Sequence, residues 1–245
     1  MTGPHEDASY EVAEMVKYVC NSFHALKVTF ANEVGTLCKA LCIDGHEVME
    51  LFTRDAKLNV SAAYLRPGFA FGGSCLGKDL RALLYKAKEL DVESPVLHAI
   101  LDSNERHVGR VASRILGTRR KRVGFLGLSF KSGTDDLRES PTVAVVETLI
   151  GKGCQVKIYD SEVSWARIFG SNRSFIEREI PHIASLVCGT IDEVLEQSDA
   201  IVVSKNQEPI RQALQPHLGD KLVFDLVRMF PNRSGVPEHY DGVCW

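Results

Sequence analysis

The sequence predicts an α/β protein in which an all-helical region precedes a Rossmann-like, doubly wound parallel sheet. Three observations carry this. Apolar residues recur at helical spacing through the first half of the chain, short apolar strands alternate with helices in the second half, and the basic run Arg119-Arg120-Lys121-Arg122 separates the two regimes.

In the first half, apolar positions 12, 15, 16, 19, 23, 26, 30, 34, 37 and 41 define one stripe of a helix about thirty residues long. Asp44-Gly45 is expected to end it, and a shorter helix through Val48, Met49, Leu51 and Phe52 follows. A loop from Leu58 to Lys78 leads into a helix whose leucines run from Leu80 to Leu90. Ser94-Pro95 reads as a side-chain cap followed by proline at the first helical position, opening a second long helix with Leu97, Ile100, Leu101, Val108, Val111 and Ile115. Two such helices carry more apolar surface than a domain of about a hundred residues buries alone, so partner surface is expected.

After the basic run, Val123–Leu128, Gln155–Asp160, Leu186–Cys188, Ala200–Ser204 and Leu222–Leu226 read as strands, with helices over Pro141–Gly151 and Ile191–Gln197. A sheet of this kind takes ligands at the carboxyl ends of its strands. The expected organisation is a polar tail over residues 1–8, a helical domain over 9–118 and a sheet domain over 119–245.

The composition is that of a soluble globular protein, 44% hydrophobic and 25% charged over 245 residues. A formal charge of -3 gives nucleic acid no purchase, no apolar run is long enough to cross a membrane, and the polar amino terminus is unlike a signal peptide. The cytosol is the expected compartment. Seven scattered cysteines without a Cys-x-x-Cys pair indicate neither a disulfide framework nor a metal site. Cys38 and Cys42, one helical turn apart, are expected to pack in the core.

Three constellations carry chemistry. Phe69-Ala70-Phe71-Gly72-Gly73-Ser74-Cys75-Leu76-Gly77-Lys78-Asp79 puts a thiol in a glycine-rich loop one turn before the expected helix. The helix's partial positive charge and Lys78 would favour the nucleophilic thiolate; the alternative is a tight turn in which Cys75 fills a small apolar gap. The loop Gly127–Pro141 is not the dinucleotide fingerprint, because it lacks the third glycine and the immediate turn into a helix. Its Lys131 and Arg138 would hold a phosphate, or else pair locally as surface charges. On the first long helix Lys17, Asn21, His24 and Asn32 share one face over roughly 22 Å, long enough to lie beside an extended nucleotide sugar, although an exposed polar face has the same pattern.

The segments Glu14–Asn21, Lys27–Glu33, Arg66–Cys75 and Gly127–Lys131 resemble the nucleotide-sugar 6-dehydrogenase family, the UDP-glucose/GDP-mannose dehydrogenases, and the likeness runs from about residue 9 to Trp245. It implies that residues 9–118 are that family's central helical dimerisation domain and that the sheet domain binds the nucleotide sugar. The implied reaction oxidises a C6 alcohol to a carboxylate with two molecules of NAD, the substrate being GDP-mannose, with UDP-glucose the alternative. Cys75 would capture the intermediate aldehyde as a thiohemiacetal, a second hydride would leave to give a thioester, and water would release the uronate. Lys17 and Asn21 would stabilise the oxyanions, and Asp79 would position water or move a proton, if it is not simply the helix N-cap. The resemblance further implies that His24, Asn32, Tyr64, Leu65, Arg66, Phe69, Gly72 and Lys131 hold the nucleotide sugar, together with Lys17 and Asn21, and that Lys78 and Arg138 reach the NAD. A homodimer or higher homo-oligomer is implied, with no nucleic acid, membrane or metal. Gly77 stands where the family carries proline, and Ala63 where tyrosine is usual. The family's amino-terminal dinucleotide-binding domain has no counterpart in these residues, so a separate half would have to supply it, or the chain is a non-catalytic nucleotide-sugar-binding or dimerisation module.

Overall fold

Strands β1 (Arg122–Leu126), β2 (Gln155–Tyr159), β3 (Ala200–Val203), β4 (Leu222–Asp225) and β5 (Tyr240–Gly242) form one parallel sheet in the order β2-β1-β3-β4-β5. The computed structural model describes residues 9–13, 16, 23, 26–27, 30, 33–35, 37–38, 40–43, 45–61, 68–73, 76–129, 136–163, 181–230 and 239–244. The chain divides into two compact units, Met1–Leu65 with Arg81–Ile100, and Arg66–Leu80 with Leu101–Trp245.

The helices are α1 (Gly45–Thr53), α2 (Leu76–Glu89), α3 (Pro95–Gly117), α4 (Pro141–Gly151), α5 (Ile191–Glu196) and α6 (Glu208–Leu214). Strands β1, β3 and β4 are buried along nearly their whole length because both faces of the sheet are covered there. Alternate residues Val123, Phe125, Val202 and Phe224 join a cluster with Val111, Ala112 and Ile115 of α3 and Val145, Val146 and Leu149 of α4. The residues between them, Leu126, Ile201, Val203 and Val223, pack with Val194 and Leu195 of α5 and Ile210 and Leu214 of α6. The carboxyl half of α3 is therefore core, where the sequence suggested surface for a partner.

Of the expected strand at Leu186–Cys188, only Val187 pairs, in a single bridge to Ile158 at the sheet edge. The chain reaches that edge for one residue before turning into α5, whose first turn is capped by Thr190 Oγ1 accepting from Glu193 N at 3.2 Å. Strand β5 and helix α6 carry no periodic signal of their own: β5 is three residues of Tyr-Asp-Gly paired to β4, and α6 is seven residues opened by Pro209.

In the first unit every described residue between 10 and 40 is helical. Val12, Val16, Phe23 and Leu26 of its stripe are exposed, while Leu37 and Cys38 are buried. The last described helical residue before α1 is Ala40, after which Cys42 takes a left-handed φ of 58° while Ile43 N donates to Cys38 O at 3.0 Å. The expected stop at Asp44-Gly45 is thus displaced, with Gly45 the first residue of α1, and Cys42 is exposed rather than packed. No helix among the described residues is long and apolar enough to cross a membrane.

Helix α3 begins at Pro95 as expected, but Ser94 does not cap it. The Ser94 hydroxyl is buried and makes no hydrogen bond among the described residues. Instead the carboxylate of Glu33, 8% exposed, accepts from Val96 N at 2.8 Å and Leu97 N at 3.1 Å. A charged acceptor with two oxygens satisfies two orphan amides and meets the positive end of the helix dipole, which one hydroxyl cannot do. E33A should therefore lower stability by about 1–2 kcal/mol in urea unfolding, and S94A should change it by less than about 0.5 kcal/mol. The reverse order would contradict the assignment of the cap.

Candidate functional site

Helix α2 begins at Leu76, four residues earlier than its leucine spacing predicts, so Lys78 and Asp79 lie inside its first turn. Asp79 is consequently not the N-cap. Both side chains are exposed and pair with each other, Lys78 Nζ to Asp79 Oδ1, at 3.3 Å. The chain reaches α2 through Gly68–Gly73, which has no regular structure and takes its partners from elsewhere in the second unit. Phe71 exchanges two hydrogen bonds with the side chain of Asn104 on α3, at 3.0 and 2.9 Å. The Gly68 carbonyl accepts from His107 Nε2 at 2.9 Å and from the Cys244 thiol at 3.6 Å. Phe69 is partly buried against the core, its ring 6.1 Å from that of His107, so it anchors the loop.

The far end of the loop rests on the segment that joins β1 to α4. Gly73 N donates to Glu139 O at 3.3 Å. A Cβ on Gly72 would overlap that same carbonyl oxygen and Pro141 Cδ, so the close approach of the two backbones requires glycine there. Glu139 itself holds a left-handed φ of 52°. Arg138, beside it, forms a two-pronged ion pair with Asp136, Nε to Oδ1 at 2.8 Å and Nη2 to Oδ2 at 2.6 Å. The hydrogen bond from this guanidinium holds the Asp136 carboxyl below its ordinary range. The local pairing weighed for this loop is therefore present at Arg138.

Between β1 and β3 the strand order reverses, and the crevice there is filled by charge. Asp160, at the end of β2, receives Leu128 N at 2.7 Å and Ser129 N at 3.1 Å on Oδ2, and Lys205 Nζ at 2.8 Å and Glu162 N at 2.9 Å on Oδ1. Lys205, at the end of β3 and 2% exposed in its side chain, also pairs with Glu162. Gly127 has a φ of 109°, and a Cβ on it would lie 2.5 Å from Ser204 Oγ and 2.7 Å from Lys205 Cγ. Ser140 Oγ donates to Leu128 O at 2.7 Å and ties the far end of the loop to its beginning.

Of the sequence-predicted site residues, the structure thus places Phe69, Gly72, Lys78, Asp79 and Arg138. Phe69 and Gly72 lie in the loop that rests on Glu139–Pro141, the segment next to Arg138. Cys75, Lys17, Asn21, His24, Asn32, Tyr64, Leu65, Arg66 and Lys131 lie outside the described residues. Asn104, His107, Asp160 and Lys205 were not singled out from the sequence. Asn and His within a helix, and charged residues just past apolar strands, are the signals that flag them. Among the described residues no group of three His, Cys, Asp or Glu side chains is placed to hold a metal ion. A cavity of about 590 Å³ lies in the first unit, lined by Arg81, Tyr85, Lys88 and His98 among others, and none of the described site residues predicted from the sequence borders it.

The model of the central domain of the UDP-glucose/GDP-mannose dehydrogenase family matches residues 11–106, and that of the family's UDP binding domain matches 124–232. The chain belongs to this family. It is 48% identical to a GDP-mannose 6-dehydrogenase of Pseudomonas aeruginosa, over 96% of this chain and 53% of that protein. A UDP-glucose 6-dehydrogenase of Rickettsia bellii is 31% identical over 78% of this chain and 43% of its own length. Among solved structures, a ternary complex of GDP-mannose dehydrogenase from Pseudomonas aeruginosa superposes with a TM-score of 0.90 at 48% identity, covering 97% of this chain and 54% of that one. A UDP-glucose dehydrogenase from Pyrobaculum islandicum gives 0.59 at 32% identity, covering 95% and 51%. The chain spans about half the length of the curated relatives it matches. Within the family's two matched domains, the loop of Gly68–Gly73 falls in the central one and Asp160 and Lys205 in the UDP binding one.

Two outcomes test this geometry. K205M and D160N should each cost about 3–5 kcal/mol in thermal or urea unfolding, and the double variant less than their sum, because each single change removes a partner from a buried charge. G72A should cost about 1–3 kcal/mol by forcing the loop off Glu139–Pro141, whereas G109A, in the middle of α3 with nothing within 4 Å, should stabilise by about 0.5–1 kcal/mol.

Proposed function

We propose that this chain carries the nucleotide-sugar-binding and thiol-bearing part of a 6-dehydrogenase that oxidises the C6 alcohol of GDP-mannose to the carboxylate of GDP-mannuronate. The observation that carries the reading is the seating of Gly72 and Gly73 on Glu139–Pro141, which joins the glycine-rich loop to the strand-end loop in one edge of the sheet. Similarity is also higher to the GDP-mannose enzyme than to the UDP-glucose enzyme.

In this reading the Cys75 thiolate adds to the C6 aldehyde, and Lys17 and Asn21 stabilise the negative charge that moves onto its oxygen. Asp79, exposed in the first turn of α2, positions the water that releases the acid. His24, Asn32, Tyr64, Leu65, Arg66 and Lys131 hold the nucleotide sugar, while Phe69 and Gly72 shape the loop beside it. The exposed apolar stripe through Val12, Val16, Phe23 and Leu26 supports a homodimer formed on the first helix.

NAD would supply the hydride acceptor when bound. The described residues do not build a cradle for it. Strand β1 opens into no glycine fingerprint, and Asp160, which ends β2 where an acidic side chain would hold a dinucleotide's ribose, is buried with both oxygens fully engaged. The cradle is assigned to a dinucleotide-binding part outside the described residues, toward which Lys78 and Arg138 would contribute.

Calorimetric titration of the chain with GDP-mannose should show binding, and NADH absorbance should show no turnover until a dinucleotide-binding half is added. Failure of the folded chain to bind GDP-mannose would contradict the proposal. Tighter binding of UDP-glucose would move the substrate, and persistent inactivity with the second half present would make the chain a binding module.

A further inference from the structure

The cavity in the first unit has walls that the chain fixes by itself. On one side stands α2, where Arg81, Tyr85 and Lys88 fall at i, i+4 and i+7 and so share a face, with Leu84 beside them. Asp91 closes that helix at a left-handed φ of 54°, and Val92 N donates to Ala87 O at 2.9 Å, which turns the chain through Glu93 and Ser94 into α3. On the other side Pro95 and His98 come from the first turn of α3, the turn that Glu33 caps. A volume of about 590 Å³ falls within the range of small-molecule pockets.

Three kinds of chemistry meet in the lining. Leu84, Val92 and Pro95 are apolar, and Tyr85, 66% exposed, presents a flat aromatic face against which another ring can stack. Arg81 and Lys88 bring cations, while Asp91 and Glu93 bring carboxylates. Ser94 borders the same space, and its hydroxyl, in a residue only 3% exposed, makes no hydrogen bond among the described residues. Buried hydroxyls are ordinarily bonded, so an unbonded one bordering a cavity points to a ligand. The Glu33 carboxylate already takes Val96 N and Leu97 N, so an anion entering the cavity is held by the cations of α2 and not by the amides of α3.

We propose that this cavity binds a nucleotide, in addition to the nucleotide sugar of the proposed reaction. A bare phosphate leaves Tyr85 and the apolar lining unused and meets two carboxylates uncompensated. A wholly apolar ligand leaves Arg81, Lys88 and Ser94 unused. A nucleotide engages all of them: the base stacks on Tyr85, the phosphate pairs with Arg81 or Lys88, the ribose hydroxyls donate to Asp91 or Glu93, and the Ser94 hydroxyl gains an acceptor. None of these residues is among those assigned to the oxidation at C6.

Calorimetric titration of the full chain with AMP and with GMP, GDP-mannose being present in excess, tests this. At least one of the two nucleotides should bind, at one per chain. Inorganic phosphate and the free nucleoside should each bind at least about tenfold more weakly, because each engages only part of the lining. Y85A should weaken nucleotide binding about tenfold through the lost stacking surface, and the double variant R81A/K88A by a similar factor through the lost cations. All three side chains are exposed, so these variants keep the core intact, and circular dichroism checks that they are folded. No binding of either nucleotide to the folded wild-type chain would overturn the proposal. So would an affinity unchanged in Y85A and R81A/K88A, which would put the nucleotide elsewhere, displacement of the nucleotide by GDP-mannose, or phosphate binding as tight as the nucleotide's. The variants locate the nucleotide whether or not GDP-mannose binds, so failure here is distinct from failure of the dehydrogenase reading.

Discussion

The carboxyl edge of the sheet is organised around the buried carboxylate of Asp160. Its two oxygens accept four hydrogen bonds, from the loop leaving β1, from the turn after β2 and from Lys205 at the end of β3. A carboxylate removed from water is tolerable only when it is paired and fully bonded, and here the bonding partners come from three different strand ends. The same requirement that stabilises the charge therefore fixes the relative positions of three loops. Gly127 lets the backbone approach Lys205 closely enough for this to happen.

Helix α3 distributes the consequence along the chain. Its first turn is satisfied by Glu33, its last turns contribute Val111, Ala112 and Ile115 to the core, and between these ends Asn104 and His107 face the loop that precedes α2. Arg114 adds a tie to Asp241 and to the Val243 carbonyl beyond β5. One regular element thus donates to the capping carboxylate, walls the core and supports a loop. Its rigidity makes it a better platform for a precise loop than another loop would be.

Membership of the UDP-glucose/GDP-mannose dehydrogenase family and the doubly wound sheet are consistent with each other but divide the chemistry unevenly. A sheet whose switch point is occupied by Asp160, Lys205 and Glu162 leaves that crevice without the open acidic residue a dinucleotide requires. Beside it the strand-end and glycine-rich loops meet, where Gly73 N donates to Glu139 O.

How much was legible depended on whether a signal was local. The alternation of apolar strands with helices, the proline at Pro95, the full span of α4 and the glycine-rich loop before α2 were all read from neighbouring residues, because hydrophobic periodicity and backbone restriction act over a few positions. Ser94 had the local signature of a cap, yet Glu33 took that place from more than sixty residues away, since a buried charge with two oxygens outcompetes a hydroxyl. Likewise β5 pairs only because β4 presents an open edge, and Cys42 rather than Asp44-Gly45 closes the first helix. The sequence by itself determined the alternation of strands with helices, the family and the identity of the candidate thiol. Tertiary structure alone decided which side chains hold the loop beside that thiol, because hydrogen bonds between Asn104 and Phe71 or Asp160 and Lys205 join residues whose separation along the chain carries no periodic trace.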